Sequence, residues 1–132
     1  MPLVKRFEDL QCWQRARELT SAAYKVTQRG RLARDRSLTD QLRRALLSTM
    51  TNIAEGFDSG SRTEFRRFLR YAARSASEVQ SCLYVANDQG YITKEGFIAL
   101  YDKSMDVRRL CSGLIRRLST VPVTNPRSSH SA

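Results

Sequence analysis

Apolar residues recur at spacings of three and four along most of the chain, the pattern of helices that bury one face. This pattern predicts four helices, at about residues 7–28, 38–55, 62–89 and 94–118. No stretch shows the strict alternation that is typical of a β-strand. Because the connections between these helices are short, we expect an all-α fold, an antiparallel up-down-up-down four-helix bundle formed by residues 1–119.

The third predicted helix carries the most regular pattern, with apolar positions at alternating spacings of four and three. This unbroken heptad seam consists of Phe65, Leu69, Ala72, Ala76, Val79, Leu83 and Ala86. The helix begins at a capping box, in which Ser61 is the N-cap and Glu64 follows three residues later. Gly90 is expected to end it, and Thr93 is expected to cap the fourth helix, which has the same periodicity.

The residues at both ends of the second helix can also be predicted. Ser37 has the residue type of an N-cap. Gly56 is expected to end the helix in the C′ position, because glycine adopts positive φ at little cost.

A different glycine, Gly113, falls inside the fourth predicted helix, where it lowers helix propensity by about 1 kcal/mol. It marks either a close approach between helices or a tolerated glycine.

Length and composition are those of one ordinary soluble domain: 132 residues, of which 41% are hydrophobic and 27% charged. No apolar run approaches the roughly 20 residues that a membrane span needs. The first residues lack the apolar core of a signal peptide. We therefore expect a cytoplasmic protein without a membrane partner. Proline and serine enrichment predicts that residues 120–132 form a disordered, solvated tail.

The net charge of +10 favours nucleic acid or another anionic surface as a partner. A basic protein without a polyanionic partner is the alternative. The arginines of the third predicted helix are the best binding candidates, because five of them are offset only by Glu64 in that segment. The five are Arg62, Arg66, Arg67, Arg70 and Arg74.

Like charges four residues apart on a helix repel, so such a set indicates a counterion or a partner. The planar guanidinium group fits phosphate, and Tyr71 in the same segment is suited to stack on a base. Arg43 and Arg44 are expected to support nucleic-acid binding. Salt bridges to acids of a neighbouring subunit are the alternative. The fourth helix carries a second basic set, which the helix dipole explains in part: Arg108, Arg109, Arg116 and Arg117.

Asn52 and Glu55 are three residues apart and share a helix face. Glu78, with Ser75 nearby, is placed to meet them across the hairpin of the second and third helices. We interpret Asn52, Glu55 and Glu78 as a structural polar network that fixes the register of the two helices. A small-ligand pocket at the same residues is the less favoured alternative.

Catalytic machinery is scarce in this sequence. The only histidine, His130, falls in the predicted tail, and no phosphate-binding loop or metal-ligand motif is present. The sequence has three widely spaced cysteines, Cys12, Cys82 and Cys111. Their odd number and spacing predict that they are unpaired and act as small buried hydrophobic residues in a reducing compartment. We therefore expect no catalytic residue, no metal, no cofactor and no enzymatic activity.

The chain resembles the bacterial four-helix bundle proteins encoded by open reading frames inside intervening sequences of 23S ribosomal RNA genes. The most specific match is the word Asn-Ile-Ala-Glu-Gly at residues 52–56, which follows Gln-Leu-Arg-Arg-Ala at residues 41–45. Further matching residues are Phe7, Glu8, Asp9, Leu10, Trp13, Gln14, Ala16, Leu38, Thr39, Asp40, Glu64, Phe65, Arg67, Phe68, Leu69, Ala73, Ser75, Ser77, Glu78, Gly90, Tyr91 and Ile92.

The resemblance implies an antiparallel four-helix bundle, a ring-like homopentamer and no enzymatic activity. The accessory variability proteins of diversity-generating retroelements are similar in fold, bind nucleic acid and partner a reverse transcriptase. Ribosomal RNA or DNA is therefore an expected partner, and a reverse transcriptase is expected by analogy alone. Residues 30–37 depart from the family pattern, which usually has Phe-Pro and an acidic, aromatic stretch there. A subunit contact made by that stretch in relatives must differ in this chain.

Overall fold

The computed structural model describes residues 4–120, and all regular structure among them is helical. A short 3-10 turn, Phe7–Asp9, precedes five α-helices. These are α1 (Gln11–Thr27), α2 (Gly30–Arg34), α3 (Arg36–Asp58), α4 (Arg62–Asp88) and α5 (Lys94–Thr120). The predicted all-α class is confirmed. Residues 121–132 of the predicted tail lie outside the described residues.

The four long helices form a bundle around one core. Helix α4 packs against both α3 and α5, and α1 completes the bundle by packing against α3 and α5. The heptad seam of α4 supplies much of this core, because its residues from Leu69 to Ala86 are buried. Leu42, Leu46 and Ile53 of α3 are fully buried opposite it. None of the helices within residues 4–120 combines the length and the apolarity needed to cross a membrane.

The predicted connector between the first two helices contains a helix of its own. Leu32 of α2 is 1% exposed and belongs to the core. Its carbonyl oxygen accepts a hydrogen bond of 2.9 Å from the Thr39 hydroxyl. The predicted start of the first helix at residue 7 was also wrong, since α1 begins at Gln11 after the separate 3-10 turn.

The N-cap of α3 is Asp35 and not Ser37. The Asp35 Oδ1 atom accepts a hydrogen bond of 3.1 Å from the backbone N–H of Leu38, while Ser37 lies within the first turn of the helix. Asp35 Oδ2 also accepts a hydrogen bond of 3.0 Å from the Tyr91 hydroxyl. The cap therefore links the start of α3 to the loop between α4 and α5, a long-range contact that local sequence does not show.

Gly56 does not end α3, which continues to Asp58. Positive φ occurs instead at Gly60, where φ is +74° in the turn to α4. Gly56 is buried inside the helix, and a Cβ there would lie 2.7 Å from the Cβ of Phe68 on α4. Glycine is therefore required by the close packing of two helices rather than by a helix end.

The predicted start of α4 is confirmed at Ser61, whose Oγ accepts a hydrogen bond of 3.2 Å from the backbone N–H of Glu64. The box is not reciprocal, because the Glu64 carboxylate pairs with Arg67 at 2.7 Å. Thr93 caps α5 as predicted, with its Oγ1 accepting from the N–H of Gly96 at 2.9 Å. Gly90 follows α4 with a φ of +70°.

Candidate nucleic-acid interface

The arginines of α4 wind around the helix instead of forming a straight stripe. Four residues advance the helix by about 400°, so each step of four turns the side chain by about 40° and the whole set by about 120°. Arg62 and Arg66, at one end of the set, are consequently half-buried. Arg70 and Arg74, at the other end, are exposed. The predicted set of five, Arg62, Arg66, Arg67, Arg70 and Arg74, is termed the arginine surface below.

Arg66 reaches from α4 to the end of α5. Its Nη1 donates to the carbonyl oxygen of Leu118 at 3.4 Å. The last carbonyls of a helix lack partners within the helix and carry partial negative charge, which favours a cation there. Arg66 therefore stabilises the α4–α5 contact as well as adding positive charge at this end of the bundle.

Two exposed guanidinium groups are held by one tyrosine. The Arg74 guanidinium carbon lies 5.1 Å from the centroid of the Tyr71 ring, and that of Arg67 lies 5.9 Å from it. The rings of Phe68 and Tyr71 meet edge to face at 5.8 Å, and Arg67 also lies 5.7 Å from the Phe68 centroid. Such cation–π contacts are worth about 0.5–1 kcal/mol at exposed sites. This Tyr71 cluster of Arg67, Phe68, Tyr71 and Arg74 restrains two cations at the surface.

The two supporting arginines of α3 differ from each other. Arg43 is half-buried and donates from Nε and Nη2 to the Thr27 hydroxyl at 3.0 and 2.9 Å. Its guanidinium carbon also lies 4.6 Å from the ring centroid of Tyr24, so Arg43 joins α1 to α3. Arg44 is exposed and forms no ion pair within residues 4–120.

The polar network between α3 and α4 contains Asn52 and Ser75 of the predicted group, but Ser48 takes the place of Glu55 and Glu78. The Ser48 and Ser75 hydroxyls are hydrogen-bonded at 2.8 Å across the two helices. Asn52 Nδ2 donates to the Ser48 carbonyl oxygen at 2.8 Å and to its hydroxyl at 3.0 Å. Glu55 and Glu78 are exposed and take no part in these bonds. Ser48 was missed as a network member, although it lies one helical turn before Asn52.

Arg108 of α5 faces inward toward α4. Its Nη1 donates to Gln80 Oε1 at 2.9 Å. Gln80 is buried, and its Nε2 has no partner within the described part of the chain. The Gln80–Arg108 contact is not evident in the sequence, because Gln80 is a single polar residue beside the apolar seam. Arg109 is exposed and forms an ion pair with Asp106 at 3.7 Å.

The three cysteines are free and buried, as predicted. The neighbouring Cys12 thiol, together with burial, raises the pKa of Cys111 far above its usual range. Desolvation raises the pKa of Cys82. Because a thiolate and not a thiol is the nucleophile, neither of these two side chains is activated for covalent chemistry.

An aromatic patch lies on α4 and α5, outside the arginine surface. The Tyr84 ring centroid lies 5.0 Å from that of Phe97 and 5.7 Å from that of Tyr101. Tyr84 is 50% exposed, and Ile98 on α5 is 46% exposed. Phe97 and Tyr101 are partly buried against the core, whereas Tyr84 and Ile98 are exposed.

Comparison with known proteins identifies both a family and a fold. The profile of the family described as 23S rRNA-intervening sequence protein matches residues 8–113. The crystal structure of a protein of unknown function from the S23 ribosomal protein family of Bacteroides thetaiotaomicron VPI-5482 superposes with a TM-score of 0.72. That protein is 22% identical, and the alignment covers 80% of this chain and 98% of that one. No curated protein matches the chain.

Proposed function

Because the chain belongs to the 23S rRNA-intervening sequence protein family, we propose that it is a non-enzymatic, homo-oligomeric, antiparallel four-helix bundle that binds the phosphate backbone of RNA or DNA. The observation that carries the proposal is the exposed half of the arginine surface. Arg67, Arg70 and Arg74 are exposed on α4, and Arg67 alone of these has an acidic partner within the described residues.

The antiparallel arrangement is supported by contacts at two levels of the α3–α4 pair. Ser48 of α3 meets Ser75 of α4, and Gly56, later in α3, lies against Phe68, earlier in α4. The α4–α5 pair behaves in the same way. Gln80 meets Arg108, whereas Arg66, earlier in α4, reaches Leu118, later in α5. These pairings support opposed directions for both helix pairs.

The arginine surface suits a phosphate backbone better than it suits a single anion. Its guanidinium groups are spread along α4 and around it, so they reach successive phosphates more readily than one site. In the Tyr71 cluster the aromatic ring limits the freedom of Arg67 and Arg74 before a ligand arrives. Restraint of this kind lowers the entropy lost on binding. Arg62 and Arg66 add positive charge at the end of the set where Arg66 reaches α5. Exposed Arg44 of α3 is proposed to support binding, whereas Arg43 is tied to Thr27 and Tyr24 of α1.

A homopentamer, as the family resemblance implies, repeats this surface around a ring and raises avidity for a long polyanion. Ribosomal RNA or DNA is the proposed ligand, in a cytoplasmic setting. A reverse transcriptase as protein partner is proposed by analogy alone.

The experiment measures the affinity of the full-length protein for fluorescently labelled RNA and DNA, duplex and single-stranded, across a range of salt concentrations. The variant Arg67→Gln/Arg70→Gln/Arg74→Gln should bind more weakly and with a shallower salt dependence, by about 0.9 in slope for each duplex phosphate that is no longer neutralised. The control Arg29→Gln/Arg34→Gln/Arg36→Gln removes the same charge from exposed positions around α2. Equal affinities of the two triple variants, or no binding by the wild type at low salt, would refute the proposal.

The aromatic patch favours a second candidate function, a scaffolding oligomer that binds a partner protein without nucleic acid. Exposed aromatic and aliphatic side chains are typical of the centre of protein interfaces. The double variant Tyr84→Lys/Ile98→Lys should then dissociate the assembly or release the partner in sedimentation experiments, while RNA and DNA fail to bind the wild type. An assembly unchanged by the double variant would refute scaffolding through this patch.

A further inference from the structure

Neither backbone conformation nor packing within residues 4–120 requires glycine at position 113. Three other glycines adopt positive φ and two are confined by neighbouring atoms: Gly30, Gly60, Gly90, Gly56 and Gly96. Gly113 lies within α5 without a positive φ, and among residues 4–120 a Cβ there would meet only the Nη2 of Arg116, at an unstrained 3.8 Å. Alanine would strengthen α5 at this position, since glycine in a helix interior is destabilising. Within residues 4–120, the close approach between helices that the sequence left open is therefore absent at Gly113.

Gly113 lies in a groove between the start of α1 and the end of α5. The groove has a volume of about 460 Å³ and is lined on the α1 side by Gln11. Three arginines of α5 line it as well, Arg109, Arg116 and Arg117, and no carboxylate of residues 4–120 does. The glycine thus shares its groove with three arginine side chains, of which Arg116 is the nearest to it.

The positive charge of this Gly113 groove is only partly neutralised. Arg109 lies 3.7 Å from Asp106, whose carboxylate also lies 3.6 Å from Arg15. Arg116 and Arg117 are exposed and form no ion pair within residues 4–120. The dipole of α5 accounts for cations near its end. It does not account for an unconstrained glycine among them.

We infer that the Gly113 groove is a second phosphate-binding site, in which the missing side chain lets a phosphodiester of a nucleic acid lie close to the backbone of α5. The choice of ligand rests on the proposed function, but the site uses other residues and another helix. Arginine binds phosphate oxygens through paired N–H donors, and three arginines line this one groove. A leucine at position 113 would occupy the space.

The test compares Gly113→Leu with Ser112→Leu, which places the same side chain at the exposed neighbouring residue outside the groove. Gly113→Leu should weaken binding of a labelled RNA oligonucleotide by about tenfold, a loss of about 1.4 kcal/mol. Ser112→Leu should bind like the wild type. Gly113→Ala should melt at a higher temperature than the wild type, and Arg116→Gln/Arg117→Gln should reproduce the loss of affinity without a change in melting temperature.

Equal RNA affinity of the Gly113→Leu and Ser112→Leu variants would overturn the inference and leave the proposed function intact. If the wild type bound no nucleic acid, the proposed function would fail. A phosphorus NMR titration with pyrophosphate then tests which ligand the groove binds. If pyrophosphate lines broaden with the wild type but not with Gly113→Leu, the groove binds a small phosphate compound, and the nucleic-acid assignment is overturned. A changed sedimentation coefficient of Gly113→Leu without RNA would assign the groove to a second copy of the chain, and this too overturns the inference.

Discussion

Gly56 is a position where one added methyl group would collide with a neighbouring helix. Its Cβ would lie 2.7 Å from Phe68 Cβ and 3.1 Å from Phe65 Cδ1. Overpacking costs about 1–3 kcal/mol, against a gain of about 1 kcal/mol from the better helix propensity of alanine. We therefore expect Gly56→Ala to lower the free energy of unfolding in urea.

Gly113→Ala serves as the reference for this measurement, because it adds the same methyl group where no packing neighbour within residues 4–120 is closer than 3.8 Å. It should raise the free energy of unfolding by up to about 1 kcal/mol. A stabilised Gly56→Ala variant would show that α3 and α4 separate easily at this point.

Tyr91 contributes stability that is lost when the pH becomes strongly alkaline. Its hydroxyl donates to Asp35, and this hydrogen bond, together with burial and the Asp35 charge, raises the pKa of Tyr91 above its ordinary value of 10.0. A raised pKa means that the fold favours the protonated phenol. The resulting stability is complete below the ordinary pKa and is lost as the pH rises through the raised one.

Tyr91→Phe should therefore be less stable than the wild type at neutral pH, and the difference should shrink as the pH passes about 10. Thermal melting over the alkaline range measures this. Tyr24→Phe is the matched control. It also removes a tyrosine hydroxyl, and the remaining ring keeps its contact with Arg43. A constant difference at all pH values would contradict the role of the Tyr91–Asp35 bond.

At the scale of the elements, α3 and α4 are joined by hydrogen bonds as well as by apolar packing. The Ser48 hydroxyl bonds to Ser75 and also accepts from Asn52. Removing it leaves two partly buried polar groups with one partner fewer. An unsatisfied group of this kind costs about 1–3 kcal/mol.

Ser48→Ala should accordingly destabilise the protein by about 1–3 kcal/mol, measured by urea unfolding. The double variant Ser48→Ala/Ser75→Ala should lose less than the sum of the single variants, since the two residues share one bond. Glu55→Gln is the control, because this exposed carboxylate takes no part in the bonds between the helices. Strict additivity of the two serine substitutions would argue against a direct hydrogen bond between them.

The boundaries of the elements show where local sequence is sufficient. Helices α4 and α5 start at the predicted residues 62 and 94, because Ser61 and Thr93 cap them with their own side chains. The start of α3 was predicted less well. Asp35 acts there both as N-cap and as the acceptor of Tyr91, and the preceding residues are drawn into α2 by burial of Leu32.

At the scale of the whole molecule, two separate sets of arginines are proposed to contact nucleic acid. One is the arginine surface of α4, and the other is the Gly113 groove between α1 and α5. The net charge of +10 gives long-range attraction, but each set should contribute its own counterion release.

A combined variant should therefore reduce the slope of log affinity against log salt by the sum of the two separate reductions. This variant joins Arg67→Gln/Arg70→Gln/Arg74→Gln to Arg116→Gln/Arg117→Gln. Each phosphate that is no longer neutralised should reduce the slope by about 0.9 for duplex and by about 0.7 for single strands. Fluorescence anisotropy titrations measure the slopes. A combined variant with the slope of either parent would mean that only one set touches the ligand.

Periodicity and local capping were sufficient to predict the helical class, the seams of α4 and α5, the caps at Ser61 and Thr93, and the burial of the cysteines. These features depend on side chains that act within one turn of their own backbone or repeat along one helix face. The family word at residues 52–56 was equally clear in the sequence. The roles of Gly56, Arg43, Asp35 and Gln80 emerged only from the packed bundle, because each is defined by an atom on another helix or loop. The bundle likewise separated the exposed arginines from those used in packing, since the turn of a helix and its neighbours set exposure.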